Sequence, residues 1–172
     1  MAKPGTTRLS TPKPSPRELQ RLDQQLCFAL YSSSLLMTKL YKPVLAPLGL
    51  TYPQYLVMLV LWEADAGPAA RRTTIGVGEL GERLYLDSGT LTPLLKRIET
   101  AGLLQRTRAA NDERRVTVTL TAAGRALRRR AEAVPRQVVC ATGCKLAELS
   151  ALTSQLQALR SNVAGHLELA AA

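Results

Sequence analysis

Residues 84–102, LYLDSGTLTPLLKRIETAG, constrain the fold more than any other stretch. Leu91, Leu94, Leu95 and Ile98 recur at three- and four-residue steps, which is one apolar stripe of a helix. The opposite side carries Pro93, Lys96, Arg97 and Thr100, flanked by Thr90 and Thr92. Such a helix is anchored by its back and presents cations and hydroxyls outward. Asp87 and Ser88 read as turn and cap residues. Pro93 is compatible only with a position near the helix start, so the helix is predicted to begin close to Ser88–Thr90. Gly102 ends it as a C-terminal cap.

The chain upstream reads as a helical platform. Leu22, Leu26, Leu30, Ser33, Met37, Leu40 and Val44 keep helical spacing, predicting one long helix from about Pro16 to Leu45, interrupted near Pro43 and Pro47. Thr51 caps a second helix with Pro53 in its first turn, and that helix is apolar enough to be buried on most sides. Gly67–Gly76 is predicted to be a loop with two arginines, followed by a short helix with Val77, Leu80 and Leu84 on one face. Downstream, Leu103–Arg108 and Arg115–Leu120 read as two strands, since Val116, Val118 and Leu120 alternate with Thr117 and Thr119. Ala109–Arg114 forms the polar tip between them. Thr121 caps a helix carrying Arg125, Arg128, Arg129 and Arg130, Pro135 bends or restarts it, and helical spacing returns from Val138 to Leu169. The fold class is therefore mainly α with a small β-hairpin. Residues 1–16 form a flexible basic tail, and residues 17–172 a single domain. Within that domain, residues about 50–120 make a winged helix-turn-helix, and helices about 17–47 and 121–168 flank it.

Composition narrows the partners. The chain has 172 residues with 23 Lys+Arg against 13 Asp+Glu, a net charge of +10, which favours a polyanion. The longest strongly apolar run, Tyr55–Trp62, is far too short to span a bilayer, and the N-terminus lacks the apolar core of a signal peptide. A cytoplasmic protein without a membrane partner is expected. Cys27, Cys140 and Cys144 are an odd number of thiols, which argues against a structural disulfide framework. His166 is the only histidine and there is no C-x-x-C pair, so neither a metal nor another cofactor is expected.

Helix, turn, helix and basic hairpin in this order suit duplex DNA. Ser88, Thr90 and Thr92 stand near the helix N-terminus, placed to reach base edges or to bind phosphate. Lys96 and Arg97 follow about two turns along and suit phosphate or guanine. Arg114 and Arg115 belong to the hairpin tip, where an arginine enters a narrow minor groove, and Asp112 is a partner for one of them. A basic helix face is often simply solvated; the ordered combination with the net charge favours DNA.

A lone cysteine in a helix is ordinarily an inert core residue. Cys27 differs in its company, since four of the five tyrosines, Tyr31, Tyr41, Tyr52 and Tyr55, lie close by in sequence. Phenol hydroxyls donate to a thiolate and stabilise it. Tyr31 is one helical turn from Cys27. Tyr41 is fourteen residues on, roughly 21 Å along an unbroken helix, so it cannot meet Cys27 within its own helix but could do so across a dimer.

The stretches LCFALYSSSLLMTKLYKPVLAPLGLTYPQYLVMLVLWE and GELGERLYLDSGTLTPLLKRIETAGL closely resemble the MarR family, and within it the organic hydroperoxide resistance regulators. The resemblance covers roughly residues 20 to 165. It implies a homodimeric repressor bound to double-stranded operator DNA, with an organic hydroperoxide as inducer and no enzymatic turnover. It implies that Cys27 is the peroxidatic cysteine, oxidised to a sulfenic acid, with Tyr41 and Tyr52 supplied by the partner subunit and Tyr31 nearby in the same chain. It further implies an intersubunit disulfide with a C-terminal cysteine, Cys140 favoured and Cys144 the alternative. The loop at Ala66–Ile75 is longer than the group's pattern and the basic tail is extra. Two rival readings are a MarR-type repressor released by noncovalent binding of a phenolic ligand, and a thiol peroxidase. A peroxidase would have no use for a winged helix in its middle third.

Overall fold

The computed structural model describes residues 15–66, 74–109 and 112–171. They fall into two units, one ending at Lys39 and the other starting at Leu40.

In the first unit the predicted single helix is broken near its start. Helix α1 spans Pro16–Leu19, capped by Ser15, whose side chain accepts from the Glu18 N–H while Glu18 accepts from the Ser15 N–H at 2.6 Å. A 3-10 turn at Leu22–Gln24 follows, and Gln25 is extended (φ −85°, ψ 116°), which stops the helix despite continuous apolar spacing. Helix α2, Leu26–Leu45, has residues in both units and carries on through Pro43 rather than stopping there. The missing proline N–H costs α2 one hydrogen bond near its end, and the helix closes two residues later. Leu26, Phe28, Leu30, Leu35 and Leu36 on α2 are exposed.

In the second unit, helix α3, Tyr52–Ala64, starts with the Thr51 N–H donating to Gln54 Oε1 at 2.8 Å. Its Tyr55, Val57, Met58, Val60, Leu61 and Trp62 are buried. Strand β1 is only Ile75–Gly76 and corrects the reading of that segment as pure loop; the rest of the predicted loop, residues 67–73, lies outside the described residues. Helix α4, Val77–Leu84, leads through a turn to α5, Ser88–Thr100. Strands β2, Leu104–Ala109, and β3, Asp112–Leu120, complete an antiparallel sheet of order β1-β3-β2. Ile75 and Arg106 both pair with Val118, so β3 is central. Leu45, Val57, Met58, Ile75, Leu80, Leu91, Leu95, Ile98, Leu104 and Val118 are the largest fully buried side chains among the described residues of this unit.

Helix α6, Ala122–Ala131, closes this core at one close approach. The buried Trp62 indole N–H donates to the Gly124 carbonyl at 2.8 Å. A Cβ on Gly124 would lie 2.0 Å from the Leu103 carbonyl oxygen, so only glycine fits. Thr121 caps α6 by accepting from the Gly124 N–H at 3.0 Å and donates its own hydroxyl to the Gly102 carbonyl at 2.6 Å. Arg125 pairs with Asp65, while Arg128 and Arg130 donate to the Trp62 and Pro47 carbonyls.

Helix α7, Val134–Thr142, restarts at Pro135 as expected. The helical pattern from Val138 onward is not continuous, however. Gly143 adopts a left-handed conformation (φ 67°) that ends α7, and α8 begins afresh at Leu146 and runs to Ala171. Along α8, Leu152, Leu156, Val163 and Leu167 are exposed. Among the described residues no single helix is long and apolar enough to cross a membrane.

Gly124→Ala is expected to lower stability by about 3 kcal/mol in urea denaturation, because its Cβ meets backbone that cannot move aside. Gly78→Ala is the control. It lies in α4 with open space around its Cβ position and gains about 0.5–1 kcal/mol from helix propensity.

Candidate DNA interface and thiol sites

Helix α5 divides nearly as its periodicity requires, with Leu94 half-buried rather than in the core. Leu91, Leu95 and Ile98 are 1% exposed or less, while Ser88, Thr90, Thr92, Pro93, Lys96, Arg97 and Thr100 are exposed. Asp87 caps the helix: the Thr90 N–H donates to Oδ1 at 2.8 Å and the Thr90 hydroxyl to Oδ2 at 2.9 Å. These bonds, the backbone one foremost, hold the Asp87 carboxyl below its usual range. Thr90 is thus already engaged in the cap, and its hydroxyl proton is used there. Among the described residues, Ser88, Thr92, Lys96 and Arg97 carry no such commitment, and they form one outward basic and hydroxyl face.

The hairpin beside α5 is held by a contact that helix and strand periodicity do not announce. Glu99 Oε2 accepts from Arg106 Nη2 at 2.6 Å and Nε at 2.9 Å, and Oε1 accepts from the Arg106 N–H at 2.9 Å. The guanidinium, followed by that backbone N–H, keeps the Glu99 carboxyl below the usual glutamate value of 4.5. The last turn of α5 and the first half of β2 are therefore one unit. Residues seven apart across a helix-to-strand turn follow no single period, so the pairing has no signature in the sequence. Further out, the register jumps between Arg108, opposite Val116, and Ala109, opposite Asp112. Asp112, Arg114 and Arg115 belong to β3, and their side chains lie outside the described residues.

Cys27 is the second residue of α2 and is exposed. Tyr31, one turn later, is also exposed. In the second unit, three tyrosines meet. The Tyr41 ring lies 4.4 Å from Tyr52 and 5.9 Å from Tyr55, and Tyr55 packs edge-on against Trp62 at 6.2 Å. Burial, with the neighbouring phenols adding to it, pushes the Tyr41 hydroxyl up to about 12. Burial raises Tyr52 and Tyr55 as well. At neutral pH these phenols are protonated donors. The two predicted thiolate partners, Tyr41 and Tyr52, are thus in mutual contact, and Tyr55 is a third member that the sequence reading left without a role. An open cavity of about 420 Å³ adjoins the cluster, lined in part by Tyr55, Leu59, Trp62, Arg128 and Pro135.

Cys140 lies exposed in the last turn of α7, and Cys144 lies beyond Gly143, its Sγ 3.6 Å from the Thr142 carbonyl. They do not share the one continuous helix that the helical pattern from Val138 to Leu169 predicted. All three thiols are free. Among the described residues no group of three His, Cys, Asp or Glu side chains is placed to hold a metal ion.

Residues 39–130 match the family model for the transcriptional regulator SarA/Rot. The chain is 46% identical to the organic hydroperoxide resistance transcriptional regulator of Bacillus subtilis (strain 168), over 81% of this chain and 89% of that protein. It is also 46% identical to the HTH-type transcriptional regulator TtmR of Methylorubrum extorquens (strain PA1), over 89% of this chain and 76% of that one. Among solved structures, it is similar to reduced AbfR bound to DNA (33% identity, TM-score 0.66, 87% of this chain and 99% of that one). It is also similar to disulfide-formed AbfR (34%, TM-score 0.54, 83% and 95%). AbfR has been solved from Staphylococcus epidermidis.

The Glu99–Arg106 pair makes a pH-dependent contribution. Because the folded carboxyl titrates below 4.5, its stabilisation is complete above that value and is lost as pH falls through the folded pKa. Glu99→Gln is therefore expected to be less stable than the parent by about 1 kcal/mol at pH 7 in urea melts, the pair being partly solvated. The gap closes as pH drops below the ordinary glutamate range; a gap that persists at low pH contradicts this assignment.

Proposed function

We propose a function for this chain from one fixed premise: it belongs to the MarR family of transcriptional regulators, in the organic hydroperoxide resistance branch. It is a regulator rather than an enzyme. The reading is a cytoplasmic repressor that binds operator DNA as a homodimer and lets go when an organic hydroperoxide oxidises Cys27. The observation that carries it is the two-sided α5, with Leu91, Leu95 and Ile98 sealed in the core and Ser88, Thr92, Lys96 and Arg97 facing out. That face sits beside a hairpin clamped through Glu99 and Arg106.

Each dimer lays one α5 into each of two successive major grooves. Phosphate contacts from Lys96 and Arg97 set the register, Ser88 and Thr92 meet bases or phosphates, and Arg114, Arg115 and Asp112 serve the wing. Pairing with a second copy is supported by the exposed apolar residues Leu26 and Leu30 of α2 and Leu152, Leu156 and Val163 of α8. A water-exposed apolar set of this kind is stabilised by burial against a like surface.

For sensing, Cys27 stands in the first turn of α2, where the positive end of the helix dipole favours an anionic thiolate. The thiolate attacks one peroxide oxygen. An S–O bond forms, the O–O bond breaks, and the alkoxide leaves with a proton as an alcohol. Tyr41 and Tyr52 of the second copy, protonated throughout, donate to the reacting sulfur and oxygen, with Tyr31 beside them. The sulfenic acid then condenses with Cys140, or alternatively Cys144, of the second copy; an S–S bond forms and water leaves. Thiol exchange with a reductant restores the repressor.

Cumene hydroperoxide is expected to weaken binding of the wild-type protein to a labelled duplex, recovered by selection from random sequence, at least tenfold, about 1.4 kcal/mol. Cys27→Ser stays bound. On non-reducing gels the peroxide-induced dimer requires Cys27 and one of Cys140 or Cys144. Normal release by Cys27→Ser would overturn the redox scheme and favour noncovalent induction.

A further inference from the structure

Tyr85 is the one non-glycine among the described residues with a positive φ (φ 55°, ψ 39°). It ends α4, its N–H reaching the Glu82 carbonyl, and the Leu86 N–H closes the turn on the Gly81 carbonyl at 2.9 Å. The turn is tight: a Cβ on Gly81 would lie 2.8 Å from the Leu86 oxygen. Glycine or asparagine suits a left-handed residue better than tyrosine does. The tyrosine is not there to fill the core either, because it is 66% exposed. What its ring touches is Arg160 of α8, whose guanidinium carbon stands 4.8 Å from the ring centroid, within cation–π range. Among the described residues Arg160 has no carboxylate at ion-pair distance, so the ring is its contact.

Two segments distant in sequence meet here. Tyr85 stands two residues before Asp87, the cap from which α5 starts. Arg160 lies fourteen residues into α8, roughly 21 Å from its first turn. That first turn begins at Leu146, two residues after Cys144. We propose that Arg160 and Tyr85 are a positioning contact that ties the C-terminal helix to the turn in front of α5, so that where α8 lies sets how α5 is presented to DNA. This rests on the regulator reading above for its consequence at DNA, but the hold on the turn is a property of the free protein.

Hydrogen exchange of the free full-length protein reads that hold directly. In Arg160→Gln the Leu86 and Thr90 amides exchange about threefold faster than in the parent, matching the strength of an exposed cation–π contact. Arg160→Lys restores most of the protection, and the Thr121 amide, bound to the Leu103 carbonyl, is unaffected. In titrations of the selected duplex, Arg160→Gln and Tyr85→Asn each weaken binding about threefold, Tyr85→Phe does not, and the double variant is no weaker than either single one. Parental exchange in Arg160→Gln, or additive losses in the double variant, overturns the coupling. If the parent binds no duplex, the regulator reading fails while the exchange measurement still decides this contact.

Discussion

The hydrogen bond from the Trp62 indole to the Gly124 carbonyl joins α3 to α6 at one point. Gly124 lies so close to the Leu103 carbonyl that α6, the entry to β2 and the buried face of α3 have no room to slide. Thr121 adds a second tie, bonding the Gly102 carbonyl just where α5 has ended. A helix that reads a surface must be fixed at its back and at its far end. The apolar stripe of α5 supplies the first, and this junction the second. Glu99 and Arg106 then extend the same rigidity to the hairpin.

That framework changes the meaning of the positive charge. A net charge of +10 points to a polyanion, yet several of the arginines are engaged in contacts within the protein. Arg125 is held by Asp65, Arg106 by Glu99 and Arg83 by Glu63, while Arg128 and Arg130 satisfy backbone carbonyls. Lys96 and Arg97 are different: they are exposed on α5, opposite its buried stripe. Charge count alone merges these two populations, and only the contacts separate them.

Much of the fold was legible because it follows from period. Leu91, Leu95 and Ile98 marked α5, alternation from Val116 to Leu120 marked β3, and Thr121 marked the start of α6. The misreadings lie where apolar spacing runs on across a backbone break. Gln25 is extended between two stretches of leucines, and Gly143 turns left-handed between Val138 and Leu149 without disturbing the pattern. Two-residue β1 was invisible because its only sign is Ile75 at the end of a polar loop. At the sites, residue types were readable but pairings were not. Tyr41 and Tyr52 were marked as phenols useful to a thiolate, while their 4.4 Å contact with each other depends on how α3 folds back after Leu50.

The left-handed glycine between Cys140 and Cys144 carries a mechanical meaning. It divides the C-terminal region into a short segment holding one thiol and a 26-residue arm, with the other thiol in the joint. An arm amplifies. A tilt of roughly 3° at the joint displaces a point about 21 Å along it, the distance to Arg160, by about 1 Å. A small angular change at the joint thus becomes a displacement comparable to the tolerance of a hydrogen bond.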